Sequence, residues 1–200
     1  MTNSIEKLSE LFEKFPGVGK RQAKRFVYFL LRKNSGYGRE LSDAILNIKK
    51  NIRLCEESFQ FFYSERGDTL SPIARNENRD DSKLMIVEKD SDLENIERMG
   101  VYDGKYFVLG GSIPVLSKIP NEFIREKELL NIIEKKKDII KEIILAMSVN
   151  PQGENTLEYL QKILERFGIK ISVLGRGLST GTELEYSDKD TFQSAFSNRR

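Results

Sequence analysis

The residues best suited to chemistry in this sequence are basic ones that follow a glycine-rich turn. Between Lys14 and Lys33 the chain carries seven basic residues and no acidic one, and the segment begins Lys-Phe-Pro-Gly-Val-Gly. On a helix that starts near residue 20, at about 100° per residue, four of these cations fall within an arc of about 140°. They are Lys20, Arg21, Lys24 and Arg25. The free N–H groups at such a helix start attract phosphate, and Gly17 and Gly19 allow close approach of the turn.

This pattern predicts binding of a nucleic-acid backbone without regard to base sequence, and with strong dependence on salt. The alternative is an ordinary solvated basic face beside a helix turn, because charge runs are common on protein surfaces. The glycine turn directly before the cations favours phosphate binding.

Two scarce residue types exclude several other kinds of site. The chain has no histidine and one cysteine, Cys55. Nucleophiles activated by histidine, histidine metal ligands and an intramolecular disulfide are therefore excluded, and so is a zinc site built from several cysteines. The 33 basic and 31 acidic residues nearly cancel, so a nucleic-acid footprint must be local. The absence of a long apolar run or secretory leader pattern, together with the single cysteine, predicts a cytoplasmic protein without membrane contact.

Four stretches of sequence must position these residues. Residues 5–54 show apolar residues at helix spacing, and residues 55–82 show no clear period and are predicted to be irregular. Residues 83–174 alternate strand and helix patterns, which predicts an α/β layer with a mostly parallel sheet. Its predicted strands are 83–87, 106–109, 142–147 and 170–174, and its predicted helices include 126–139 and 153–167. Residues 175–200 begin with glycine-rich turns and are predicted to end in a short helix capped by Asp188.

In collinear segments, the sequence resembles the RecR family. The first basic helix, FPGVGKRQAKRFVYFLL, is similar to the family's helix-hairpin-helix, in which a Leu-Pro-Gly-Ile-Gly type turn opens a basic helix. Four later segments resemble the family's Toprim domain and C-terminal segment: MIVEKDSDLENIE, YFVLGGSIPVLSKI, AMSVNPQGENTLEYL and GRGLSTGTELEYSDKDTFQSAF. The resemblance implies a multi-module α+β and α/β protein. Its parts would be a helix-hairpin-helix region (1–54), a degenerate zinc-finger-like module (55–82), a Toprim domain (83–174) and a C-terminal oligomerisation segment (175–200).

The zinc-finger-like module departs from the family, which usually carries four zinc cysteines there. The equivalent positions in this sequence are Cys55, Ser58, Ser71 and Ala74. With one thiolate left we expect no zinc, and we expect Cys55 to be a small buried side chain. An aromatic cluster is predicted to be buried in place of the metal: Phe59, Phe61, Phe62 and Tyr63. The alternative is that these aromatics stack on DNA bases.

The Toprim domain is expected to lack catalysis. Glu88 fits the position of the glutamate that holds Mg²⁺ in Toprim enzymes, but the later Asp-x-Asp pair is replaced by Met147-Ser148-Val149-Asn150. Glu154 is the acid that remains near it, so a weak magnesium site at Glu88 and Glu154 is the alternative. We expect both acids instead to cap helix N-termini, where carboxylates are favourable, with no cofactor required.

The resemblance implies a mediator of recombinational repair. Subunits would form a homotetrameric ring around DNA, associated with the nucleoid, and would act with RecO and RecF to load RecA at single-strand gaps. Glu185, Tyr186 and Asp188 would serve assembly or partner binding. The glycine-rich segment 175–182 is predicted to be a structural turn, since it lacks the Gly-Lys-Ser/Thr ending of a phosphate loop. Two alternatives stay open, a magnesium-dependent Toprim enzyme and a structural partner that does not touch DNA.

Overall fold

The computed structural model describes residues 3–117, 119–175, 189, 191 and 195. The chain divides into two compact units, Met1–Ile52 and Arg53–Arg200. The first unit consists of α1 (Ser4–Glu13), α2 (Lys20–Leu31) and α3 (Ser35–Asn51). Asn3 caps α1 by accepting from the Ile5 amide, and Asn34 caps α3 by accepting from the Tyr37 amide. These side chains satisfy amides that have no partner inside the helix.

In the sequence, the zinc-finger-like module follows the helical unit. It contains a two-stranded sheet of β1 (Ile52–Leu54) and β2 (Phe61–Tyr63), followed by the short helix α4 (Pro72–Arg75). The predicted helical character up to residue 54 was therefore wrong for the last three residues, which pair with β2. The prediction that residues 55–82 are irregular was wrong where β2, α4 and the start of the next strand form.

The predicted burial of four aromatic side chains was wrong for two of them. Phe62 is buried and Phe59 is half-buried, with its ring 5.2 Å from the ring of Phe107. Phe61 and Tyr63 are more than half exposed. Successive side chains of a strand point to opposite faces, so burying Phe62 turns its two neighbours in β2 outward.

In chain order the elements of the α/β domain are β3 (Asp80–Val87), α5 (Asp90–Met99), β4 (Gly104–Val108), α6 (Glu126–Lys136), β5 (Glu142–Ala146), α7 (Pro151–Leu164) and β6 (Lys170–Val173). The four strands form one sheet in the order β4-β3-β5-β6 with every pairing parallel, as predicted. Short 3-10 turns lie at Pro120–Glu122 and Glu165–Phe167. The helix predicted at 126–139 ends at Lys136, and the one predicted at 153–167 begins at Pro151 and ends at Leu164.

Both faces of the sheet are covered, as is typical of parallel sheets. On one face Ile86, Phe107 and Leu145 pack with residues of α6 and α7, including Leu129 and Leu160. The other face carries a smaller cluster formed by Met85, Val87, Tyr106 and Val108 with Leu93 of α5. Because β3, β4 and β5 run parallel, their carboxyl ends lie at one edge of the sheet. Within the described part of the chain, no helix combines the length and the apolarity that crossing a bilayer requires.

Candidate nucleic-acid interface

The turn between α1 and α2 is built around Gly17. Its φ is +74°, in the left-handed region that favours glycine, and the Val18 amide donates to the Phe15 carbonyl at 3.1 Å. Gly19 has an extended φ of −85° and forms the N-cap of α2. A Cβ added at either glycine would meet nothing within 4 Å, so the space in front of the turn is open on the described structure.

The start of α2 offers free backbone donors. No side chain among the described residues caps it, and its first turn carries no acidic residue. The first helical amides therefore keep their donor capacity, and the positive end of the helix dipole lies beside them. Such a terminus is suited to a phosphate group.

The cations predicted on α2 all reach solvent. Lys20, Arg21, Lys24 and Arg25 are exposed, whereas Ala23 and Val27 on the opposite side are 0% and 2% exposed. Arg25 donates to Gln22 at 3.2 Å, and none of the four cations makes an ion pair within the described chain. The structure thus brings the predicted side chains to one open face, free to meet phosphates. Their contact with DNA stays a prediction.

Sequence reasoning missed two further residues of this face. Tyr28 and Arg32 are exposed and lie about one and two helical turns beyond Lys24, at spacings of four and eight residues. The helical periodicity alone would have found them.

The degenerate zinc positions do come together. Cys55 Sγ accepts from the amides of Ser58 at 3.5 Å and Ser71 at 3.3 Å, and Ser71 Oγ accepts from the Ala74 amide at 3.2 Å. Cys55, Ser58 and Ser71 are buried, as expected for Cys55. Burial raises the pKa of the Cys55 thiol, but hydrogen bonds from Ser58 and Ser71 outweigh it and hold that pKa below its ordinary value. One thiol, two hydroxyls and a methyl group do not fit zinc, which requires four donors.

Hydrogen bonds link the zinc-finger-like module to the α/β domain. Arg125 Nη1 donates to the carbonyls of Phe59 at 2.7 Å and Val108 at 2.9 Å. The Val108 amide donates to the Ser58 carbonyl at 2.7 Å. This set of hydrogen bonds ties the Cys55–Gln60 turn to β4.

Glu88 lies at the carboxyl edge of the sheet, directly after β3. It is 2% exposed, and its two carboxylate oxygens accept from the amide and the hydroxyl of Ser148, each at 2.8 Å. A Cβ at Gly153 would lie 2.0 Å from the Ser148 carbonyl oxygen and 3.1 Å from Glu88 Oε1, so only glycine permits this close approach. A cation at Glu88 would have to displace or share these hydrogen bonds.

The prediction that Glu88 caps a helix was wrong. The start of α5 is closed by Asp92, which accepts from the Lys89 amide, and α7 is capped by Asn150, which accepts from the Gly153 amide. Glu154 lies in the first turn of α7, near the helix N-terminus, but the cap itself is Asn150. Within the described residues no group of three Cys, Asp or Glu side chains is placed to hold a metal ion. A weak magnesium site at Glu88 and Glu154 would need only two carboxylates, so it stays an alternative. The predicted assembly residues Glu185, Tyr186 and Asp188, and residues 176–182 of the glycine-rich segment, lie outside the described residues.

A helix-hairpin-helix unit with a basic second helix, followed by a parallel α/β domain, defines a protein of the DNA-binding helix-hairpin-helix class. A family model described as RecR, helix-hairpin-helix matches residues 5–49, and a Toprim domain model matches residues 82–175. The chain is 37% identical to Recombination protein RecR of Dehalococcoides mccartyi, an alignment that covers 98% of this chain and 93% of the relative. It is 36% identical to the RecR protein of Chloroflexus aggregans, with the same coverage, and 33% identical to that of Lactobacillus acidophilus, with 98% and 96% covered. The chain therefore belongs to the RecR family of recombination proteins.

Proposed function

We propose that this chain is a non-enzymatic mediator of recombinational DNA repair. Its subunits close into a homotetrameric ring that binds DNA without regard to sequence, and the ring acts with RecO and RecF to load RecA at single-strand gaps. The observation that carries the proposal is the open basic face of α2, where four exposed cations adjoin an uncapped helix start. Membership of a recombination family supports the repair role.

The basic face explains the kind of contact proposed. Cations and backbone amides bind phosphates, which every DNA sequence presents alike. A few phosphate contacts give one subunit a weak, salt-sensitive affinity. Several such faces in one ring act together, since each later contact is intramolecular and profits from a high effective concentration.

The sheet edge supports a binding role for the Toprim domain. Toprim catalysis requires carboxylates that converge on Mg²⁺, and here the Glu88 carboxylate is engaged by Ser148. A serine thus occupies the place where an enzyme would present its next acid. We therefore assign Glu88 to the architecture of the domain.

Light scattering coupled to size exclusion tests the proposal, with and without a gapped DNA duplex and across a salt series. We expect a mass four times that of the 23.1 kDa chain, a complex with the gapped duplex at low salt, and release as salt rises. Addition of RecO and RecF to the same column tests the partners through coelution. A monomer that ignores DNA at every salt concentration contradicts the proposal, and a complex with partners that excludes DNA would favour a purely structural role.

A further inference from the structure

An exposed tyrosine lies in the middle of the basic face of α2. Tyr28 follows Lys24 by four residues and Arg25 by three, and it precedes Arg32 by four. Counted from Lys20 at about 100° per residue, Tyr28 lies near 80°, between Lys24 near 40° and Arg25 near 140°. Its side chain is 51% exposed. The aromatic ring of Tyr28 therefore lies among cations on the solvent-exposed side of α2.

Tyr28 differs from the other tyrosines of the described structure in its contacts. Tyr37 packs edge-on against Phe29, Tyr63 donates to Glu65, and Tyr159 donates to Glu126. Tyr102 and Tyr106 form a ring pair with centroids 5.0 Å apart. Within the described residues the side chain of Tyr28 makes neither a hydrogen bond nor a ring contact. The folded unit does not account for this side chain, which points to an external ligand.

The surrounding charge decides which ligand fits. The segment from Lys14 to Lys33 is free of acidic residues, so the same face of a second copy would bring like charges together. An apolar protein partner would have to desolvate several unpaired cations, which is costly. A single nucleic-acid strand satisfies both components, since its phosphates meet the cations and an unpaired base presents a flat ring to the phenol.

We propose that Tyr28 stacks on an unpaired base of single-stranded DNA while the flanking lysines and arginines hold the adjacent phosphates. The inference rests on the proposed function, because it assigns a preferred DNA form to the same basic face. In a duplex the bases are already stacked on one another, so Tyr28 adds affinity for a single strand and little for a duplex. The cations contribute to both forms.

Fluorescence anisotropy with three labelled probes tests the inference: an oligothymidine, an abasic strand of the same length and a duplex. The variant Tyr28→Leu removes the ring and keeps an apolar side chain, and Tyr28→Phe keeps the ring. The matched control is Phe123→Leu, since Phe123 is an exposed aromatic, 43% accessible, that lies outside the basic face and the zinc-finger-like module. Thermal unfolding of each variant verifies that it is folded.

We expect Tyr28→Leu to weaken oligothymidine binding by about tenfold or more, the range that loss of one base stack produces. Affinity for the abasic strand and the duplex, and the salt dependence, should stay at the wild-type value. Tyr28→Phe and Phe123→Leu should bind like wild type. Unchanged oligothymidine binding in Tyr28→Leu, or an equal loss on the abasic strand, overturns the inference. A lower oligomer mass for Tyr28→Leu in light scattering also overturns the inference, because the phenol of Tyr28 would then pack between subunits.

The charge variant Lys20→Glu/Lys24→Glu separates the two hypotheses. If it releases all three probes while Tyr28→Leu releases none, the stacking inference fails and the DNA-binding role stands. If it leaves every probe bound, the proposed function itself fails.

Discussion

Glu88 and Ser148 are joined by two hydrogen bonds of 2.8 Å, one from the amide and one from the hydroxyl of Ser148 to the two carboxylate oxygens. The contact links the ends of β3 and β5, which are neighbours in the sheet but sixty residues apart in sequence. A buried carboxylate is stable here because both of its oxygens are hydrogen-bonded. The glutamate that a Toprim enzyme would devote to a metal instead holds two strand ends together.

Removal of this carboxylate should destabilise the α/β domain. Glu88→Ala leaves the Ser148 amide without its acceptor in a part-buried site, so the free energy of unfolding should fall by about 2 kcal/mol. Ser148→Ala keeps the hydrogen bond from the residue 148 amide and loses the one from the hydroxyl, which should lower the free energy of unfolding by about 1 kcal/mol. Urea denaturation at constant m-value measures both changes.

The same experiment distinguishes a metal site. Millimolar Mg²⁺ should leave the unfolding free energy of the wild-type protein unchanged, because the Glu88 carboxylate is occupied. Stabilisation by Mg²⁺ that disappears in Glu88→Gln would instead support the alternative of a magnesium-dependent enzyme.

Charge reversal on α2 should abolish retention of DNA without unfolding the protein. In Lys20→Glu/Lys24→Glu both side chains are exposed, so the thermal midpoint should stay near that of wild type. The milder variant Lys20→Ala/Lys24→Ala should reduce the magnitude of the slope of log affinity against log salt concentration by about 2, since each phosphate contact contributes about 0.9. Fluorescence anisotropy over a salt series measures the slope.

The control for the α2 variants is the same pair of changes at Lys127 and Lys135. Both lysines are exposed on α6, and neither forms an ion pair within the described chain. If the α6 variants lose as much affinity as the α2 variants, the loss reflects net charge and the interface assignment is wrong.

Restoration of three thiols should restore a zinc site. Cys55 Sγ already lies within 3.5 Å of the amides of Ser58 and Ser71, so Ser58→Cys, Ser71→Cys and Ala74→Cys should complete a tetrathiolate. The triple variant should bind one zinc and unfold at a higher temperature than its chelator-treated form. Cobalt substitution gives a thiolate absorption band that reports the ligand set. The single variant Ala74→Cys is the control, and a triple variant that takes up no metal would show that the four positions do not converge.

Asp80 should make the fold sensitive to acid. Hydrogen bonds from Ser82, followed by the Lys83 ammonium at 3.0 Å, lower the pKa of Asp80 from 3.8 to about 2. Between these two values the unfolded chain binds a proton that the folded chain does not, so this contribution to stability is lost as the pH falls from about 4 to about 2. In Asp80→Asn the unfolding free energy should fall less steeply over that window. An unchanged slope in acid denaturation would show that the carboxyl is not held ionised.

The sequence by itself determined the features that depend on local spacing. Helical periodicity and the Pro-Gly-Val-Gly turn predicted the start of α2 and the common face of its cations, since a 3.6-residue repeat places side chains without reference to the rest of the chain. Alternating strand and helix patterns predicted the parallel sheet, because helical connections require that strand direction.

Only the tertiary structure decided which distant groups meet. The partnership of Glu88 with Ser148, the hydrogen bonds of Arg125 that tie the zinc-finger-like module to β4, and the outward turn of Phe61 and Tyr63 all depend on it. All three features follow from which strands become neighbours and which face of a strand is covered. A short stretch of sequence encodes neither the choice of neighbours nor the covered face. A one-residue difference in register reverses the face of a strand side chain, so composition could indicate aromatic residues in the module but not which of them the core would cover.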